Sequence, residues 1–246
     1  MMAKKKKPQR PQSTEPAVNR LIVVGSPRER GRSMHLAELL FEACIEDCPS
    51  DEVAIAPVAT LSIAPCTGCD ACANAGAASV DDIAGAGAGE ENDSALATPC
   101  AHVDDMAEVR DLIDAADELI VVSPVYFSGP PAQFKALLDR MQPYYYALEA
   151  AREEGRAPVR KRPMVLHVIG EGGDPHGYAP LVGIVRSAFG CAGFSLEAVY
   201  DWVGKIDAGG EIVADADVYA VRADGSLVAA DDADAGSPSA EGADRG

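Results

Sequence analysis

Residues 21–33 read Leu-Ile-Val-Val-Gly-Ser-Pro-Arg-Glu-Arg-Gly-Arg-Ser, and no other stretch restricts the folding options of this chain as tightly. The apolar run 21–24 breaks at Gly25 into a polar loop that carries three arginines. A short run without polar alternation reads as a parallel strand buried on both faces. Ser33 then reads as the N-cap of an amphipathic helix with Leu36, Leu39, Leu40 and Ala43 on one face. Strand, loop and helix start leave backbone N–H groups and a positive helix end facing the loop, with Ser26 and Ser33 adding hydroxyl donors. A phosphate fits such a site. The pattern is neither common nucleotide fingerprint: G-x-x-x-x-G-K-[ST] is missing, and Gly25 and Gly31 do not fit G-x-G-x-x-G.

The same grammar repeats downstream. Residues 53–58 suit a second strand, with Pro57 marking an edge position or the strand's end. Asp104 or Asp105 can cap a helix bearing Met106, Val109, Leu112, Ile113 and Ala116. The apolar run 119–122 opens into Ser123-Pro124-Val125-Tyr126-Phe127-Ser128-Gly129, and Phe134, Leu137, Leu138 and Met141 follow at helical spacing. Residues 164–169 form a fourth strand that ends in a Gly-Glu-Gly-Gly loop; a helix over 181–189 and a strand over 195–203 complete the series. Alternating strands and helices imply a doubly wound, five-stranded parallel sheet with helices on both faces. Ligands of such α/β sheets bind beyond the carboxyl ends of the strands, where the strand order reverses. The loops 25–32, 123–129 and 170–173 all leave strands at that edge. The first suits a phosphate. The second is rigid and aromatic, as a planar apolar ring requires, and the third lets backbone approach closely. A phosphate and a ring at one flavodoxin-like switch point point to flavin mononucleotide, FMN.

Charge and termini narrow the partners. The formal net charge is −18, which argues against nucleic acid or an anionic membrane as a main partner. Lys4 to Lys7 form a basic run with no apolar stretch behind it, so residues 1–19 are expected as a solvated, disordered tail rather than a secretory signal. No apolar run reaches the roughly 18–20 residues that span a bilayer. A soluble, cytoplasmic protein is expected. The ordered domain is assigned to 20–206, and 207–246, acidic and rich in Ala, Gly and Ser, to a largely disordered tail.

Seven cysteines without an export signal point to thiol or metal chemistry rather than a disulfide framework. Cys66, Cys69 and Cys72 form C-x2-C-x2-C, the first three members of a ferredoxin-type run. A fourth ligand is needed, and Cys100 is the nearest downstream cysteine, beyond a Gly/Ala/Asp-rich insertion at 73–99. Zinc also accepts four thiolates, although its sites usually use two separated pairs. Cys44, Cys48 and Cys191 read as inert or buried small hydrophobes. His176, beside the third loop, reads as a surface histidine within reach of a substrate.

In combination, Gly25-Ser26-Pro27-Arg28-x-x-Gly31-x-Ser33, the 66–72 cysteine run, Cys100 followed by Asp104-Asp105-Met106, and Ser123-Pro124-Val125-Tyr126-Phe127 resemble the NADPH-dependent FMN reductase-like family, in its iron–sulfur flavoprotein branch. The resemblance covers roughly residues 20–200. It implies that Ser26, Arg28, Gly31, Arg32 and Ser33 hold the FMN phosphate. Pro124, Val125, Tyr126, Phe127 and Ser128 would border the isoalloxazine ring, with Gly172 and Gly173 close by. Cys66, Cys69, Cys72 and Cys100 would carry a [4Fe–4S] cluster. It also implies a homodimer or homotetramer. Arg32 departs from the small polar residue usual at its position, and the last cysteine follows a longer spacer than usual.

The expected function is an FMN-dependent oxidoreductase moving electrons between NAD(P)H or a ferredoxin-like partner, FMN and the cluster. The flavin carries the chemistry, and no side chain is required as a general acid or base. Rival readings are a cluster-free NAD(P)H-dependent reductase of quinones or nitroaromatics, a flavodoxin-like electron carrier whose acidic surface docks basic partners, and a zinc-stabilised binding module.

Overall fold

The computed structural model describes residues 17–75, 100–155 and 161–230. The lysine run, the core of the cysteine-loop insertion and the segment after 230 lie outside them. In chain order the elements are β1 (Asn19–Val24), α1 (Arg32–Asp47), β2 (Glu52–Pro57), α2 (Ala71–Ala75), α3 (Met106–Ala115), β3 (Glu118–Pro124), α4 (Ala132–Asp139), α5 (Gln142–Glu153), β4 (Arg162–Ile169), α6 (Ala179–Cys191), β5 (Phe194–Asp201), β6 (Asp217–Val221) and β7 (Leu227–Ala229). They build one sheet in the order β2-β1-β3-β4-β5-β6-β7.

The first five strands pair in parallel, and β6 and β7 add on antiparallel. The order 2-1-3-4-5 is that of the flavodoxin-like fold. Apolar runs explain the centre of the sheet. Leu21 to Val24 of β1 are at most 1% exposed, because alternate side chains feed cores on both faces. Leu21, Val23, Val121 and Leu166 join the larger core with α3, α4 and α6, whereas Ile22, Val24, Val122 and Ile169 meet Leu36 and Ala37 of α1. Pro57 ends β2, which is indeed the edge strand.

Several expectations need correction. The sheet has seven strands rather than five. The segment assigned to a tail from 207 contributes β6 and β7, because Tyr219, Val221 and Leu227 pack on the main core. An Asp-Gly turn closes that hairpin, with Gly225 N–H donating to Arg222 O at 2.8 Å. Ser33 does not cap α1: the N-cap is Gly31, and Ser33 is buried in the first turn. The inward face of α1 is Leu36, Ala37 and Leu40, while Leu39 and Ala43 face outward. The buried face is thus turned slightly from the one expected, with Ala37 taking the place of Leu39 against the sheet.

Candidate functional site: a cleft at the strand ends

The order reverses between β1 and β3, so the loops after them leave in opposite directions and open a crevice. A cleft of about 350 Å³ lies there, lined by Ser26, Arg28, Gly31, Arg32, Ser33, Pro124, Val125, Tyr126, Ile169, Gly170, Glu171 and Gly172. Three strand ends thus meet on one cavity, as the loop positions predict.

The first loop is held from below. Gly25 N–H donates to Val122 O at 2.8 Å, pinning the loop to β3. A Cβ on Gly25 would lie 2.5 Å from Cδ1 of Phe134, a fully buried ring of α4, so only glycine fits. Ser26 is buried, and its Oγ accepts the Arg28 N–H at 3.2 Å. Ser33 is buried beside the positive start of α1. Among the described residues Arg28 makes no ion pair, whereas Arg32 donates through Nη2 to Glu171 Oε1 at 2.8 Å and through Nη1 to Ile206 O at 3.2 Å.

The second loop turns twice. Val125 N–H donates to Ile169 O at 2.9 Å, tying it to β4. Tyr126 and Gly129 then exchange backbone hydrogen bonds at 2.9 and 3.0 Å around a two-residue turn. Both central residues are left-handed, Phe127 at φ 49° and Ser128 at φ 67°, the conformation of a type I′ turn. Phe127 stands at the tip, 100% exposed and outside the cleft. Ser128 is buried, and its hydroxyl donates to Gly177 O at 2.7 Å, which joins the turn to the loop before α6. In the third loop Gly172 (φ 87°) faces the cleft beside Val203, and Gly173 lies outside the lining.

Of the expected flavin residues, Ser26, Arg28, Gly31, Arg32, Ser33, Pro124, Val125, Tyr126 and Gly172 come together, and Phe127, Ser128 and Gly173 do not. Glu171 lies in the cleft without having been expected there. The lining fits FMN in kind: buried hydroxyls, a helix start and two arginines for a phosphate, and a Pro-Val-Tyr wall for a ring.

The four expected metal ligands form a second cavity, of about 320 Å³, in which Cys66, Cys69, Cys72 and Cys100 are joined by His102, Arg140 and Tyr146. Left-handed Gly68 and Asp70 reverse the chain between the first three thiols. Burial pushes the Cys72 thiol up, and the nearby Cys100 and Cys66 add to that. The base of the loop is locked by Arg140, 1% exposed, which forks onto Asp104 with Nη1–Oδ2 at 2.7 Å and Nη2–Oδ1 at 3.0 Å. Arg140 also donates to Ala64 O, while Asp104 accepts Ala64 N–H and Met106 N–H. Burial alone would raise the Asp104 carboxyl, but these hydrogen bonds outweigh it and hold it below the ordinary carboxylate range. Among the described residues the buried Nε of Arg140 has no hydrogen-bond partner. The donor set matches four-thiolate chemistry in kind, yet among the described residues no three His, Cys, Asp or Glu side chains are grouped to hold a metal ion. Arg140 and Asp104 escaped the sequence reading as a pair. The sequence points to Asp104 as a helix cap and as part of the Asp104-Asp105-Met106 run, not as the partner of Arg140.

A 2-1-3-4-5 sheet with a cleft at its switch point defines a flavodoxin-like α/β protein. The profile of the NADPH-dependent FMN reductase family matches residues 18–194, and the chain belongs to that family. The similarity includes its iron–sulfur flavoprotein branch. The chain is 29% identical over 124 residues to an iron–sulfur flavoprotein of Archaeoglobus fulgidus, covering 50% of this chain and 44% of that one. It is 28% identical over 135 residues to an iron–sulfur flavoprotein of Methanocaldococcus jannaschii, covering 55% and 58%. The chain thus spans about half the length of these relatives. Among solved structures, an NAD(P)H:quinone oxidoreductase from Methanothermobacter marburgensis superposes with a TM-score of 0.46 at 17% identity, over 77% of this chain and 88% of that one. No helix among the described residues is long and apolar enough to cross a membrane.

Proposed function

We propose that the strand-end cleft binds FMN and that the protein is an NAD(P)H-dependent flavin oxidoreductase. One observation carries the reading: the β1, β3 and β4 loops converge on a single cavity with buried Ser26 and Ser33, Arg28 and Arg32 on one loop and a Pro-Val-Tyr wall on another. Bound there, FMN supplies acceptance of a hydride and release of electrons singly. The chain's own contribution is binding and orientation. Ser26, Ser33 and the α1 N–H groups donate to the phosphate, and Arg28 and Arg32 balance its charge. Pro124, Val125 and Tyr126 fix the ring's plane, and Gly170 and Gly172 allow backbone approach.

The test is flavin binding by the full chain. The expected result is a yellow protein, bleached by dithionite, whose Arg28→Ala variant loses FMN affinity by about tenfold. Riboflavin, which lacks the phosphate, should bind both proteins equally. A colourless protein that refuses added FMN overturns the reading.

For the second cavity we infer a [4Fe–4S] group on Cys66, Cys69, Cys72 and Cys100, passing electrons to or from a ferredoxin-like partner, with a homodimer or homotetramer as the working assembly. The names of the two archaeal relatives and the four thiols around one cavity support it. A second reading is a cluster-free reductase of quinones or nitroaromatics. Iron and acid-labile sulfide after anaerobic purification decide: about four of each per chain supports the cluster, and values near zero with full FMN select the cluster-free enzyme.

A further inference from the structure

We infer that Glu171 is a built-in competitor for the phosphate, an internal anion that pairs with Arg32 and so keeps FMN exchangeable. The inference rests on the FMN reading of the cleft. Phosphate sites normally gather positive charge, and a carboxylate inside one is unfavourable when a second anion enters. Here Glu171 lines the same cleft as Ser26, Arg28 and Ser33. Its Oε1 takes Arg32 Nη2 at 2.8 Å, so one of the two arginines already has an anionic partner.

The geometry makes this pair easy to break. Glu171 is 79% exposed and sits in a glycine-flanked loop, so its contact with Arg32 is screened by water and costs little to give up. Arg32, by contrast, is only 22% exposed and is anchored a second time, through Nη1 to Ile206 O. On phosphate entry the mobile partner is therefore the carboxylate, and the guanidinium stays in place. Charge adds up the same way. With Glu171 in place, Arg28 and Arg32 leave one net positive charge around the cleft, and without it there are two.

The test compares Glu171→Gln with the parent by quenching of FMN fluorescence, with riboflavin as the phosphate-free control. Glutamine keeps the shape and removes the charge. The expected result is FMN bound roughly three- to tenfold more tightly by the variant, with riboflavin affinity unchanged and the difference shrinking as salt is raised. In an Arg32→Gln background the gain from Glu171→Gln should fall, because the competition runs through that arginine. Unchanged or weaker FMN binding by Glu171→Gln overturns the inference, since it makes Glu171 either neutral or a support that aims Arg32 at the phosphate. An equal gain for riboflavin also overturns it. Failure of the parent protein to bind FMN is a separate result, which removes the FMN reading itself and this inference with it.

Discussion

Single side chains set what the two cavities tolerate. Gly25 is constrained by space: Phe134 occupies the position a methyl group would take. Gly25→Ala should lower unfolding free energy by about 1–3 kcal/mol in urea titrations, and Phe134→Leu should recover part of the loss. Asp104 is a stricter case. Asp104→Ala strands the buried Arg140 guanidinium without its counter-charge, so a loss of about 3–5 kcal/mol is expected by the same measurement. Replacing both with apolar residues should cost less than Asp104→Ala alone. At this scale much of the lining of the strand-end cleft was legible. Ser26, Arg28, Arg32, Ser33, Pro124 and Tyr126 follow strand ends directly, and chain order alone delivers them to one edge. The 170–173 loop was legible as a glycine-rich approach to the ligand, but the pairing of its Glu171 with Arg32 was not, because the partners lie far apart in the chain. Nor was Arg140, since a basic residue after a helix is common on a surface and nothing local reveals that this one is 1% exposed.

Among elements, the turn at 126–129 is the least relaxed. Two non-glycine residues hold positive φ, at a cost of about 1–2 kcal/mol each. Phe127 makes no compensating contact through burial, so Phe127→Gly should raise the melting temperature by a few degrees. Ser128→Gly should not, because it also removes the hydroxyl bond to Gly177 O. The strands with uniform apolar runs were legible to within a residue or two, since burial on both faces leaves no other reading for them. The β6–β7 hairpin was hidden by its composition. Its acidic neighbours suggested a solvated tail, although Val-Tyr-Ala-Val, an Asp-Gly turn and Leu-Val-Ala were all present. A short antiparallel pair on the end of a sheet needs few apolar residues, because the sheet has already supplied the core.

The whole molecule carries a built-in acid weakness. His167 of β4 is buried, stacked on Tyr200 of the neighbouring β5 at 4.6 Å, and its Nδ1 accepts the Trp202 indole N–H at 3.0 Å. Burial pushes its imidazole down to about 4 from an ordinary 6.5. The unfolded chain therefore binds a proton that the folded one refuses between those values, and stability falls as pH drops from about 6.5 towards 4. The full effect is about 3 kcal/mol. His167→Gln should flatten that part of the pH–stability curve relative to the parent, measured by urea unfolding from pH 4 to 7. A different consequence follows from α4, which carries Phe134 under the Gly25 loop and leads into Arg140 beneath the cysteines. That helix is a ruler between the two cavities, eight residues or about 12 Å long. Its graduations are whole residues: one inserted alanine would swing Arg140 about 100° around the axis and off Asp104. The interval between the two cavities can therefore be altered only in whole turns of that helix.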